Sequence, residues 1–128
     1  MTPDKQVVST EDAPQNDSPY SQAIAGKDLV FVSGQGPTDP DTVERVDGDI
    51  SAQTERTIRN LENVLDAADA SLNAVVKTTV YLDDMDDYDR MNQAYGEFFT
   101  DQPPARVCVE AARLPNDIGV EIEAIAQR

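Results

Sequence analysis

The sequence predicts an α+β fold: a single mixed six-stranded sheet with two helices packed on one face. Three observations predict it. Two segments carry apolar residues at the 3/4 spacing of a helix, with polar residues between them. Around them lie short runs rich in Val, Ile and Thr, bounded by Gly, Pro and Asp. Their order, β-β-β-α-β-α-β-β, supplies too few helices to cover both faces of one sheet. At 128 residues the chain is read as one domain, residues 1–128, large enough for one core.

Each element has its own signal. "QVVS", Gln6–Ser9, suits a short edge strand. "YSQAIAGKDLVFVSGQG" reads as a hairpin, with Tyr20–Ala25 as one arm, Gly26-Lys27 as the turn and Asp28–Gly34 as the other arm. "LVFV" is apolar on both faces, which marks a strand buried on both sides. "PTDPDTVERVDGD" is a loop by its Pro, Asp and Gly content. From Ser51, a fair N-cap, to about Ala68, the residues Ile58, Leu61, Val64, Leu65 and Ala68 share one helical face. "AVVKTTVYL", Ala74–Leu82, is β-branched and strand-like. "DDMDD" then sets carboxylates at the start of a second helix, where the helix dipole favours them. That helix runs from about Asp86 to Phe99, with Tyr88, Met91, Tyr95, Phe98 and Phe99 on its apolar stripe. "ARVCVEAA" and "VEIEAIAQ" are the last two strands. With both helices on one face, Val30, Val32, Thr79 and Ile125 are expected on the other, and a second copy of the chain is expected to cover them.

Composition removes several functions. With no histidine and one cysteine, an internal disulfide, the usual N/S metal sites and Ser-His-Asp or Cys-His catalysis are all excluded. No metal and no cofactor is expected. No apolar run approaches the ~20 residues of a membrane span, and the N-terminus lacks the basic-then-apolar pattern of a secretory signal, so the expected location is cytoplasmic. The net charge is −15, with twenty-five Asp+Glu spread along the chain against ten Lys+Arg. Such a surface repels phosphate backbones, so nucleic acid is not an expected partner. Dense carboxylates also keep a protein hydrated in high salt, and a halophilic origin is the favoured reading, an acidic protein of dilute conditions the other.

Four segments together resemble the RidA/YjgF family of reactive-intermediate deaminases: "PYSQAI" (Pro19–Ile24), "VFVSGQGP" (Val30–Pro37), "VVKTTVYLDDMDDYDRMNQAYGEFF" (Val75–Phe99) and "PPARVCVEAARLPNDIGVEIEAIA" (Pro103–Ala126). The resemblance implies a fold similar to the Bacillus-type chorismate mutase and a homotrimer with sites between subunits. It also implies hydrolysis of enamine and imine acids such as 2-iminobutanoate and 2-iminopropanoate to 2-oxoacids and ammonia, without a cofactor. Two positions depart from the family pattern. Ser18 stands where a glycine is common before "PYSQA", and Asp69 where a glycine often follows the first helix; Asp tolerates the left-handed backbone well.

The resemblance places Arg106, in the "PAR" motif, on the substrate carboxylate, a task its planar fork suits. An ordinary strand-end arginine paired with a surface acid is the plainer reading. Glu121, in "EIE", matches the glutamate that orients and deprotonates water, with Glu123 on the same strand face as its rival. Were the last two strands a simple hairpin, Arg106 and Glu121 would lie roughly 20 Å apart. They meet only if other strands intervene or if a subunit boundary brings them together. Ser33, Gly34 and Gln35 form a strand end where a small residue lets a ligand approach, or else a plain tight turn. Tyr20 walls the pocket or packs on the hairpin. Asn92 caps a backbone group or lines the site. Cys108 shares the strand face of Arg106 and contributes backbone and packing rather than a nucleophile. The expected ligand is a small anionic imine, enamine or 2-oxoacid; a non-catalytic sensor of 2-oxoacids is the competing function.

Overall fold

The computed structural model describes residues 4–128. Its strands are β1 (Gln6–Val8), β2 (Ala23–Ala25), β3 (Leu29–Gln35), β4 (Val75–Leu82), β5 (Ala105–Glu110) and β6 (Val120–Gln127), and its helices α1 (Ile50–Ala67) and α2 (Tyr88–Gly96). They form one sheet in the order β1-β2-β3-β6-β4-β5. All neighbours are antiparallel except β4 and β5, whose parallel pairing needs the long connection that α2 provides. α1 lies across β3 and β6, and α2 packs against α1 on the same side. This is the expected architecture of six strands and two helices on one face.

The stripe read from the sequence is what α1 buries: Ile58, Leu61, Val64 and Leu65 are wholly enclosed and Ala68 nearly so. At ~25 cal/mol per Å2 of apolar surface, burial of this kind supplies most of the driving force for docking the helix. Thr54 and Thr57 are also enclosed, their hydroxyls bonded back to the Ile50 and Gln53 carbonyls one turn earlier. Asn60 reaches out of the helix to donate to the carbonyls of Gly36 and Thr38, which fixes the chain just past β3.

Local boundaries differ from expectation in instructive ways. The N-cap of α1 is Asp49 rather than Ser51, its carboxylate accepting from the Ala52 amide at 3.0 Å. The acidic "DDMDD" run forms a separate 3-10 turn, Met85–Asp87, capped by Asp84, so α2 starts at Tyr88 and stops at Gly96, short of Phe99. The first hairpin arm shortens to Ala23–Ala25, because the Gln22 side chain is engaged with the N-terminal segment: it donates to the carbonyls of Thr10, Ala13 and Pro14 and accepts from the Thr10 amide. Asp69 takes the left-handed backbone expected of it, with φ 61°.

The uncovered face is also corrected. Val30 and Val32 are 0% and 4% exposed and point at the helices. Their neighbour Phe31, 48% exposed, faces outward instead, on the same side of the sheet as Val107 and Val109 of β5, with β6 and β4 between them. Thr79 and Ile125 do lie on that open side, as expected. A strand apolar on both faces carries no phase in its sequence; pairing with β6 sets it, Val30 opposite Ala126 and Val32 opposite Ala124.

Candidate active site

Past Val32 the β3–β6 ladder slips. Val32 pairs with Ala124 but Gln35 with Ile122, so Ser33 and Gly34 together stand opposite the single residue Glu123. This is a β-bulge, and bulges re-aim side chains near functional sites. Here it returns Gln35 to the buried side and leaves Ser33 and Gly34 toward the open face. Ser33 ties the bulge to the loop ahead of β2, donating its hydroxyl to the Ser21 carbonyl at 2.6 Å and its amide to the Gln22 carbonyl at 2.9 Å. That loop carries Tyr20, which remains exposed.

Glu121 lies directly over the bulge. A Cβ placed on Gly34 would come within 2.5 Å of Glu121 Oε2 and 2.8 Å of its Cδ. Any larger residue there would push the carboxyl out of this position. Two recesses meet at this carboxyl. Both are walled by Tyr20, Gly34 and Pro115; Gln22 and Gln35 line the first, Ser33, Tyr81 and Glu123 the second. Burial pushes the Glu121 carboxyl above the usual glutamate range, and the Glu123 charge adds to the effect. Gly34→Ala is expected to displace this carboxyl and cut turnover about 10²-fold, the cost typical of misplacing a reacting group by about 1 Å. Steady-state kinetics on the folded variant measures it; a wild-type rate would mean that Glu121 need not stand where it does.

Arg106 is elsewhere. In the ladder it pairs with Thr78, and Cys108 with Val80, so both point to the helix side of the sheet. The guanidinium sits over the Tyr95 ring at 4.9 Å and the Tyr88 ring at 5.7 Å, and donates to the Tyr88 hydroxyl at 3.2 Å. Tyr95 is itself held by a 2.7 Å bond between its hydroxyl and that of Thr78. Among the described residues the one ion pair within 4.0 Å is Arg59 with Glu62. In so acidic a chain, Arg106 is thus a cation seated on aromatic rings with no carboxylate of its own. Cys108 is partly buried against the core, and burial pushes its thiol up, with Arg106 acting in the opposite sense. The Asn92 Oδ1 on α2 is buried with no hydrogen-bond partner, so Asn92 caps nothing and holds a free acceptor.

The chain therefore brings Tyr20, Ser33, Gly34, Gln35 and Glu121 together and sets Arg106, Cys108 and Asn92 apart from them. Glu121 is level with Tyr81 and, through it, with Val109. Arg106 is then roughly 10 Å along the strand and about 10 Å across two strand spacings, on the other face. The simple hairpin is ruled out, since β4 lies between β5 and β6. Tyr88, Tyr95 and Tyr81 did not emerge from sequence as site residues. Tyr88 and Tyr95 read as part of an apolar stripe, and their one signal is the polar tip that a core Phe would lack. Among the described residues no three acidic or cysteine side chains gather as a metal would require.

Residues 10–128 match the family model described as Endoribonuclease L-PSP. The solved structure of the YjgF gene product from E. coli superposes with a TM-score of 0.92 at 40% identity, covering 96% of this chain and 98% of that one. The chain belongs to the RidA/YjgF family. Among its RidA/YjgF relatives, a RutC family protein of Pyrococcus abyssi is 52% identical over 97% of this chain and 98% of its own length. A Salmonella typhimurium protein named 2-iminobutanoate/2-iminopropanoate deaminase is 43% identical, over 94% and 96%. No helix among the described residues of this RidA/YjgF chain is long and apolar enough to cross a membrane.

Proposed function

We propose that this protein hydrolyses small 2-imino and 2-enamino acids, 2-iminobutanoate and 2-iminopropanoate among them, to 2-oxoacids and ammonia, at sites assembled between the protomers of a homotrimer. The observation that carries this reading is Arg106: a guanidinium held on two tyrosine rings, hydrogen-bonded to a phenol, and left without a carboxylate in a chain of twenty-five acids. An α-carboxylate is the partner such a fork accepts best. Support for the assembly comes from the two faces of the sheet. Arg106 and Glu121 cannot meet within one chain, and the open face bears Phe31, Val107 and Val109, which a neighbouring copy would cover.

The chemistry needs little more. Arg106 of one protomer grips the substrate carboxylate. Glu121 of the next takes a proton from water as that water adds to the C2 carbon of the imine. That proton passes to nitrogen to give a carbinolamine, the hydroxyl proton follows it to nitrogen through Glu121, and the C–N bond breaks so that ammonia leaves as the C2 carbonyl forms. The imine carbon is already electrophilic, so water activation and carboxylate binding suffice. RNA cleavage, the activity in the matched family's description, fits poorly with a surface of charge −15.

A purified threonine dehydratase coupled to this protein tests the proposal: release of 2-oxobutanoate should accelerate in proportion to added protein, and no acceleration would refute it. The same assay carries a salt prediction. The global charge repels an anionic substrate until screening shortens the field to about 3 Å near 1 M salt, while the Arg106 contact survives. Accordingly kcat/KM should rise with salt from low ionic strength, and a monotonic fall would contradict the electrostatic argument.

A further inference from the structure

We propose that Tyr81 and Glu123 act as a positioning pair for Glu121: Tyr81 anchors the Glu123 carboxylate in the shared recess, and the charge so fixed keeps Glu121 as the proton acceptor of the two glutamates. This rests on the reading of Glu121 as the base. The geometry is specific. Tyr81 stands directly opposite Glu121 in the β4–β6 ladder, and Thr79 opposite Glu123. The Tyr81 hydroxyl nevertheless reaches diagonally and donates to Glu123 Oε1 at 2.5 Å. All three side chains line one recess. One carboxylate is therefore committed to a donor and the other is left free, an asymmetry that assigns separate roles to two otherwise equal acids.

The groups facing Glu121 are few. Its own strand brings Glu123, β4 brings Tyr81, and the loop ahead of β2 brings Tyr20. From β3 come Ser33, Gly34 and Gln35, beside Gln22, and from the turn ahead of β6 Pro115 and Asn116, none of them charged. Lys77 shares the β4 face but lies four residues from Tyr81, roughly 13 Å. In the assembled trimer, Arg106 of a neighbouring protomer would act in the opposite sense to Glu123, and equally so in every variant named below. Glu123 and Glu121, two residues apart on one strand face, are separated by about 7 Å, inside the ~8 Å screening length of physiological salt. The bond to Glu123, helped by burial, keeps the Tyr81 proton in place to higher pH, so the anchor persists where the enzyme works.

The test titrates the Glu121 carboxyl directly, by carbon NMR of protein labelled at glutamate, beside pH profiles of kcat/KM. In Glu123→Gln, which keeps the acceptor oxygen for Tyr81 and removes the charge, the Glu121 midpoint should fall by roughly half to one pH unit. The acid limb of kcat/KM should follow it, and the shift should shrink near 1 M salt. In Tyr81→Phe, which keeps the charge but frees it to leave the recess, both midpoints should move the same way by less. Midpoints in both variants within about 0.2 unit of wild type would overturn the pair. Because the titration needs no turnover, the two readings fail separately: a shifted Glu121 in a protein whose Glu121→Gln variant still turns over keeps the pair and removes the base.

Discussion

Arg106→Ala should lower kcat/KM for an imine acid about 10³-fold and leave the fold intact. The figure follows from two charge-assisted hydrogen bonds to a carboxylate, each contributing about 1.5–3 kcal/mol. The loss should appear in binding as well as turnover, because the contact exists before water attacks. Arg106→Lys keeps the charge but not the fork. It also trades a flat cation, stacked on Tyr95 and Tyr88, for a strongly hydrated point charge, and should recover only part of the loss. Steady-state kinetics in the coupled assay, with melting curves as the control for folding, measures both. A rate for Arg106→Ala within threefold of wild type would leave the carboxylate without its proposed partner.

Glu121→Gln should reduce kcat by about 10²–10⁴, the usual contribution of a general base, while affinity for a 2-oxoacid stays within severalfold. The sign of its pH dependence follows from its surroundings. Burial and the Glu123 charge both favour the protonated carboxyl, and only the deprotonated form accepts a proton from water. Activity should therefore disappear as pH falls through a midpoint above the ~4.3 of a solvated glutamate. An equal loss of binding and turnover would instead favour a 2-oxoacid sensor. Mixing the two variants separates the architectures. In randomly mixed trimers, half the protomers offer an intact Arg106 and the other half an intact Glu121, so about one interface in four is complete. Co-refolded Arg106→Ala and Glu121→Gln should thus regain about a quarter of wild-type activity. A site contained in one chain would regain none.

Much of this was legible beforehand, and the exceptions have physical causes. The α1 stripe from Ile58 to Leu65 announces itself because one face of a long helix must be apolar. The phase of β3 does not, since "LVFV" is apolar at every position and only its partner strand and the bulge decide that Val30 and Val32 turn inward. The "DDMDD" run pointed rightly to a helix start, yet the exact first residue depends on which aspartate caps which amide. For the site, motif matching brought Arg106, Glu121 and Gly34 forward. It could not show that a carboxyl lies on Gly34, nor that Tyr88 and Tyr95 carry the arginine. Both are long-range contacts, set by sheet order rather than by neighbours in the chain.

The placement of Arg106 and Glu121 on opposite sides of one sheet has a consequence for how output scales with supply. On the proposed reading, each copy presents half of a working pair on either flank and completes neither by itself. Specific activity should then decline on dilution below the concentration at which copies separate, so that the cell sets catalytic power per molecule through how much of the protein it keeps.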